Sequence, residues 1–155
     1  MLATFFTLDF FVSFLMAAIG TTGFALLFNS RAKYLLILAI GGALTYAVYY
    51  FFEMNLFRSI FAAAFFSSAF SAVYSELFAR VKCAPTIICL IPCAIPIVPG
   101  SSLYYAMASL ISRDMPAALR HLSNAALIGI GIAGGIMAVS ILMNIYTEIV
   151  KKHKL

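Results

Sequence analysis

The stretch from Pro85 to Ser112 reads P-T-I-I-C-L-I-P-C-A-I-P-I-V-P-G-S-S-L-Y-Y-A-M-A-S-L-I-S and decides the fold. It carries all but one of the five prolines of the chain. Proline removes a backbone donor and clashes with the carbonyl four residues earlier. A helix through Pro92, Pro96 and Pro99 must therefore kink or break, and their spacing places all three on one helical face.

The break falls near the middle of an apolar span. The nearest flanking charges are Lys82 and Arg113, and their midpoint lies close to Pro99-Gly100. Irregular backbone at membrane depth is tolerated only where it meets protein or a water-filled cavity. This stretch is therefore typical of a transport path rather than of a plain membrane anchor.

Composition places the rest of the chain in a membrane as well. Of its 155 residues, 65% are hydrophobic and 10% are charged, whereas soluble domains carry about 25% charged residues. The net charge of +5 lies in short loops and at the C-terminus, where basic residues set topology. Membrane lipid is the expected surrounding, and no nucleic-acid partner is expected.

Five segments reach the roughly 20 apolar residues that a membrane helix needs. They span about 4–28, 34–52, 60–78, 85–112 with an interruption, and 122–146, followed by a basic tail at 148–155. The prediction is an all-α polytopic membrane protein, with residues 1–155 as a single transmembrane domain. It has five transmembrane helices, the fourth broken by the P-x-V-P-G-S stretch. The first segment lacks a basic start and contains Asp9, so a removable signal peptide is not expected.

The basic residues predict the orientation. With the N-terminus outside, seven basic residues lie in the cytoplasm and three outside, as the positive-inside rule requires. The cytoplasmic set is Arg31, Lys33, Arg80, Lys82, Lys151, Lys152 and Lys154, and the outer set is Arg58, Arg113 and Arg120. A re-entrant fourth stretch would instead turn the tail outward, so five crossings are preferred.

Small residues predict close helix packing. The third segment has two adjoining small stripes, the fifth has a glycine pair, and the second has Gly41-Gly42-Ala43. The stripes are Ala64, Ser68 and Ala72 beside Ser67, Ser71 and Ser75, and the pair is Gly131 and Gly135. Cys83, Cys89 and Cys93 are interpreted as small packing residues. Several tight faces with few polar partners indicate contact with another subunit.

The residues around the proline break are the first candidates for transport. Ser101 or Ser102 is predicted to cap a new half-helix that begins after Pro99-Gly100. Its N-terminus would direct free backbone donors at an anionic group, as discontinuous helices of transporters do. Tyr104 and Tyr105 follow on the same half-helix. The alternative is a proline kink that only shapes packing.

Three other positions carry charge or polarity near the membrane. Asp9 lies within the first apolar run, at the outer interface or facing protein. Glu76 and Arg80, four residues apart, read either as a helix-end ion pair or as gating or proton-coupling groups. Asn29 is predicted to be a helix C-terminal cap, and it lies beside Thr21 and Thr22, which either bond within their helix or line a path.

The sequence contains no recognisable catalytic set. His121 and His153 have no carboxylate at a motif-like spacing, and no metal-ligand cluster, phosphate-binding loop or nucleophile motif is visible. The chain is therefore not expected to be an enzyme, and neither a cofactor nor a metal is expected.

Three stretches together resemble a known family. These are G-F-A-L-L-F-N-S-R-A-K (23–33), V-Y-S-E-L-F-A-R-V-K-C-A-P-T (73–86) and I-P-C-A-I-P-I-V-P-G-S-S-L-Y (91–104). They are similar to the threonine/serine exporter family, and more closely to a small subunit that matches the C-terminal membrane half of that exporter. The resemblance covers nearly the whole chain, and P-x-V-P-G-S-x-x-Y is its most specific part.

The resemblance implies export of small polar metabolites across the cytoplasmic (inner) membrane of a bacterium. The family implies threonine and serine as substrates, or a C4 dicarboxylate such as succinate in two-subunit versions, where a larger subunit completes the exporter. We therefore predict a subunit of a secondary exporter, with a homo-oligomer as another possible assembly.

The site expected in such an exporter follows from the residues. The substrate carboxylate would meet Gly100–Ser102, with Tyr104 or Tyr105 and Asn29 nearby, and Asp9 or Glu76 would couple transport to protons. The alternatives are a non-transporting structural subunit and a channel.

Overall fold

The computed structural model describes residues 8–56 and 59–152 of the chain. The predicted start of the first helix at 4–7, the outer Arg58 and the tail residues 153–155 lie outside the described residues. Every regular element in the described ranges is helical, which confirms the all-α fold. Four helices are long and apolar enough to cross a membrane, and a bent pair of helices adds a fifth crossing if it is one span.

Six α-helices follow one another along the chain. They are α1 (Leu8–Leu27), α2 (Leu35–Phe51), α3 (Ile60–Lys82), α4 (Ile87–Ala94), α5 (Gly100–Ile111) and α6 (Met115–Lys152). A 3-10 turn, Ala32–Tyr34, precedes α2, and a π-helical turn, Phe52–Leu56, follows it. A second 3-10 turn, Ile95–Ile97, extends α4. Helix α6 begins before the predicted 122, and α3 continues beyond the predicted 78.

The C-terminal end of α1 is closed by a residue in the left-handed conformation. Asn29 has φ of 53°, its N–H donates to the Leu26 carbonyl, and the Ser30 N–H donates to the Ala25 carbonyl, each at 2.9 Å. This pair of bonds is the Schellman motif, in which a residue with positive φ closes the last helical turn. The predicted C-terminal cap at Asn29 is therefore confirmed.

A similar turn joins α5 to α6. Arg113 has φ of 60°, and the Asp114 N–H donates to the Ser109 carbonyl at 2.9 Å. The Asp114 carboxylate then accepts the Ala117 N–H at 3.1 Å, which caps the start of α6. Since the connection is this short, α5 and the first part of α6 lie side by side and antiparallel.

Glycines of α6 bring it against α3. A Cβ at Gly131 would lie 2.8 Å from the backbone oxygen of Phe61, and one at Gly135 would overlap Phe65 and Ser68. Side chains larger than glycine would hold the two backbones apart. The predicted glycine pair is thus the contact that lets α6 pack on α3.

The positions of the helix ends indicate how the helices run between the two ends of the bundle. Asn29 after α1 and Lys82 at the end of α3 line one cavity; we call this end of the bundle the basic end. The guanidinium of Arg80 lies 5.5 Å from the centre of the Tyr146 ring, so the last part of α6 is also at the basic end. Helix α6 therefore begins toward the opposite end, and the bent pair α4–α5 is a fifth crossing if its two halves form one span.

Helix α4 lies in the core, whereas α5 lies outside it. Helix α4 packs against α1, α2 and α3, and α5 packs mainly against α6. Around α4, Tyr34 meets Phe78 edge to face at 5.1 Å, and the Tyr74 hydroxyl donates to the Ile37 carbonyl at 2.8 Å. The fourth span therefore enters the bundle as a core helix and leaves it as a peripheral one.

Candidate transport site

The break in the fourth span lies where the prolines predicted it. Helix α4 passes through a 3-10 turn into an extended Val98, with ψ of 132°, and α5 begins at Gly100 after Pro99. The two halves are bent by 50°. This confirms a fourth helix that is broken at the P-x-V-P-G-S stretch.

The predicted serine cap of α5 is wrong. Pro99 occupies the N-cap position, and no side chain caps the helix there. Because the proline takes the turn position, Ser101 and Ser102 fall one and two residues inside the helix that Gly100 begins. The first backbone N–H groups of a helix have no partner within it, and here no serine hydroxyl meets them from the cap position.

The start of α5 is open space as far as this chain is concerned. A Cβ at Gly100 would meet nothing within 4 Å, and Gly100 and Ser101 are exposed. The neighbouring Val98 exposes 49% of its surface, and Tyr104 exposes 69%. The Gly100 N–H donates to the Val98 carbonyl at 2.7 Å, so the backbone donors of the first turn that follow it, a hydroxyl and a phenol remain available here to a ligand or to another chain.

The two tyrosines continue this face toward α6. Their rings meet at 5.5 Å, and the Tyr105 ring lies 5.6 Å from His121 of α6. The structure thus brings together most of the predicted binding residues on one helix, with His121 added from its neighbour.

A second feature, which we call the basic cavity, lies at the basic end. It has a volume of about 320 Å³ and is formed by the turns after α1 and α3 and the start of α4. Its lining is Phe28, Asn29, Ser30, Arg31, Lys33, Tyr34, Lys82, Cys83, Ala84, Pro85 and Ile88. This lining includes three cations and no carboxylate, so the cavity favours an anion.

The left-handed caps build this cavity. Asn29 and Cys83, with φ of 53° and 48°, turn the chain sharply at the ends of α1 and α3. The ammonium of Lys33 lies 5.0 Å from the centre of the Tyr34 ring. Two turns about fifty residues apart in sequence thereby place Arg31, Lys33 and Lys82 around one space.

The proximity of Asn29 to Gly100 stays a prediction. Asn29 lines the basic cavity together with Ile88, and Gly100 is twelve residues further along the fourth span. At about 1.5 Å per residue this separates the two positions by up to about 18 Å. The cap holds Asn29 at the end of α1, beside the start of α4, whereas the break lies beyond the other end of α4.

The predicted charged residues lie in three different places. Asp9 is exposed in the first turn of α1, where the helix dipole favours a negative charge. Glu76 accepts a hydrogen bond from the Thr86 hydroxyl at 3.3 Å and so ties α3 to the start of α4. Arg80 faces Tyr146, so the contacts of Glu76 and Arg80 are with other segments rather than with each other.

Sequence reasoning missed the basic cavity and one half-buried acid. The cations were interpreted only as topology signals, because nothing in the sequence brings the two turns together. Glu53 is partly buried in the π-helical turn after α2, and such turns are frequent at functional sites. Its position at the end of an apolar run was the available signal.

This arrangement defines a class of protein. Apolar helices that cross a membrane several times, with a central span broken at an open helix start, are the architecture of a helical membrane transporter.

The comparison with protein families identifies the group. The family model described as Threonine/Serine exporter, ThrE matches residues 13–142. That range runs from α1 into α6 and includes both the break and the basic cavity. The chain belongs to the threonine/serine exporter family and is a multi-pass membrane protein. No curated protein and no solved structure matches it.

Proposed function

We propose that the chain is a subunit of a secondary exporter that moves small carboxylate-bearing metabolites out of a bacterial cell across the inner membrane. The observation that carries this proposal is the open start of α5 at a break in the middle of the fourth span. The basic end, with Arg31, Lys33 and Lys82, faces the cytoplasm under the positive-inside rule, which puts the N-terminus outside.

The substrate carboxylate binds at the start of α5. The first N–H groups of a helix and its positive dipole end attract an anion. Gly100 leaves room for a close approach, since a Cβ there would meet nothing within 4 Å apart from its chain neighbours and its own helix backbone. Ser101, Ser102 and Tyr104 add hydroxyls for the rest of the substrate, which is threonine, serine or a C4 dicarboxylate such as succinate.

A larger subunit completes the site. Exposed irregular backbone is not stable against lipid, and both Val98 and Gly100 are exposed in this chain. Helix α5 packs mainly against α6, so one side of it is free. A second membrane protein that covers the break would enclose the substrate between the two chains.

Efflux from cells tests this proposal directly. Cells that lack their own exporters would express this chain, the larger subunit, or both, and would be loaded with threonine- or serine-containing dipeptides or made to accumulate succinate. We expect efflux only when both chains are present. Efflux from this chain alone would show that a homo-oligomer transports without the larger subunit. No efflux with any combination of chains would favour a structural role for this chain.

Proton coupling has Asp9 and Glu76 as its carriers in this proposal. Asp9→Asn and Glu76→Gln keep size and hydrogen bonding but remove the titrating group, so at least one variant should lose the dependence of efflux on external pH. The measurement is the efflux rate over a range of external pH at fixed substrate load. If both variants show the same efflux rates as the unmodified protein at every pH, neither Asp9 nor Glu76 carries the coupled proton.

A further inference from the structure

Two buried hydroxyls lie on α3, the helix that packs against the core half of the fourth span. Ser71 and Ser75 lie one turn apart on α3, and each is 0% exposed. Within the part of the chain that the structure describes, neither Oγ atom has a hydrogen-bond partner. This differs from the neighbouring Ser67, whose hydroxyl donates to the Ala63 carbonyl at 2.7 Å.

Leaving such hydroxyls without partners is unfavourable in a folded protein. Buried polar groups are nearly always hydrogen-bonded, and each exception calls for an explanation. A serine in a helix usually satisfies its hydroxyl on the carbonyl four residues earlier. Ser71 and Ser75 keep theirs available instead, which indicates a polar group that occupies this interface in another state of the protein.

The opposite wall of the interface is the proline-containing α4. Cys89 and Pro92 are fully buried there. The Cys93 thiol, 3.7 Å from that of Cys89, lies 3.6 Å from the Leu38 carbonyl of α2. The Ser75 hydroxyl lies near the Cys89 thiol without a hydrogen bond of good geometry. Pro92 cannot donate to the Ile88 carbonyl, so that carbonyl lacks its usual partner within α4.

The interface joins the two sites described above. Ile88 and Pro85, at the start of α4, line the basic cavity, and the other end of the same segment leads to Val98 and Gly100. We infer that the α3–α4 interface is the route by which the exported metabolite passes from the basic cavity to the break, with the Ser71 and Ser75 hydroxyls as its polar contacts on the way. This inference rests on the proposed export function.

The route is closed in this structure and has the means to open. Helix α4 has only eight residues, between the turn at Cys83–Thr86 and the break at Val98-Pro99. Both ends are therefore places where backbone angles can change without loss of a continuous helix, which is how hinges operate. Movement of α4 away from α3 exposes the hydroxyls to a small hydroxyl- or carboxylate-bearing solute.

The natural thiols of α4 test the route. In cells that contain both subunits, Cys83 would be replaced by serine, because it is exposed at the cavity. A small, charged, membrane-impermeant methanethiosulfonate reagent reacts with thiols that water reaches. We expect Cys89 and Cys93 to be modified during efflux, and substrate to slow the modification several-fold. Modification is read by mass spectrometry.

A matched control distinguishes reagent that reaches the thiols through the route from reagent that reaches every side of α4. With all three native cysteines replaced by serine, Ile91→Cys places a thiol on the exposed side of the same helix, where we expect lipid. This thiol should stay unmodified under the same conditions. Equal modification of Ile91→Cys and the native thiols would overturn the inference, because a route would then not be needed to explain access.

Hydroxyl removal supplies the second measurement. Ser71→Ala and Ser75→Ala preserve packing, so thermal stability should be unchanged while the substrate concentration for half-maximal efflux rises about tenfold. Ser68→Ala is the control, since Ser68 faces Gly131 and Gly135 of α6. Normal efflux with unmodified thiols and unaffected serine variants would overturn the route and leave the proposed function standing. Absence of efflux from the unmodified pair of subunits would overturn the function itself.

Discussion

The contact between α3 and α6 is very close, whereas the start of α5 has no close contact with the rest of the chain. Between α3 and α6 the backbones approach so closely that a Cβ at Gly131 or Gly135 would strike the main chain of α3. At the start of α5, a Cβ at Gly100 would strike nothing. Glycine is present in both places, but in one it allows packing within the chain and in the other it leaves space.

The difference shows which contacts form within this chain and which surface is left for another chain or a ligand. The α3–α6 contact needs no further component. The α5 start, with Val98 and Tyr104 exposed, lies in a membrane-spanning segment where irregular backbone requires protein or water beside it. The close α3–α6 contact and the open start of α5 therefore lie on different parts of the chain.

The largest effect is expected from Gly135→Leu. The new side chain would collide with Phe65 backbone and Ser68, and overpacking of a close contact typically costs about 1–3 kcal/mol, with higher costs where backbone must move. We expect loss of folded protein in detergent, measured by thermal denaturation and size-exclusion chromatography.

Gly129→Leu is the matched control on the same helix, since a Cβ there has nothing within 4 Å. Equal stability of the two variants would show that the α3–α6 contact is not made as described.

An intermediate effect, on transport alone, is expected from Gly100→Leu. The side chain fills space that this chain leaves empty, so the melting temperature should match that of the unmodified protein. Efflux should fall by at least about tenfold, equivalent to ~1.4 kcal/mol in the transport barrier. Unchanged efflux would show that the substrate does not bind at the start of α5.

The smallest effect is expected from Tyr74→Phe. It removes one hydrogen bond, from the Tyr74 hydroxyl to the Ile37 carbonyl at 2.8 Å, and hydrogen bonds between membrane helices contribute about 0.6 kcal/mol on average. Thermal denaturation should show a small decrease in stability, with efflux retained. A loss as large as that of Gly135→Leu would mean that this bond anchors α2 to α3.

Much of the fold could be predicted from local rules. Charges bounded the apolar spans, the prolines located the break, and Asn29 was a cap by residue type. The early start of α6 was missed because Arg120 and His121 were placed at the membrane edge, outside the span, although the Asp114 cap begins the helix at Met115. The serine cap failed because Pro99 occupies the turn position.

The site was less predictable because it depends on packing between distant segments. Arg31 and Lys82 share a cavity only after the ends of α1 and α3 have come together at α4. Sequence also cannot distinguish a serine that bonds its own helix, such as Ser67, from Ser71 and Ser75. All of them read as one small-residue stripe suited to packing.

The central claim is that another chain covers the break in the fourth span. Site-specific photo-crosslinking tests it, with a benzophenone-bearing amino acid in place of Val98 at the break and in place of Ile19 on the exposed face of α1. In cells that show efflux, we predict a protein crosslink from position 98 with the mass of this chain plus the larger subunit, and none from position 19. Active efflux with no protein crosslink from position 98 would contradict the account.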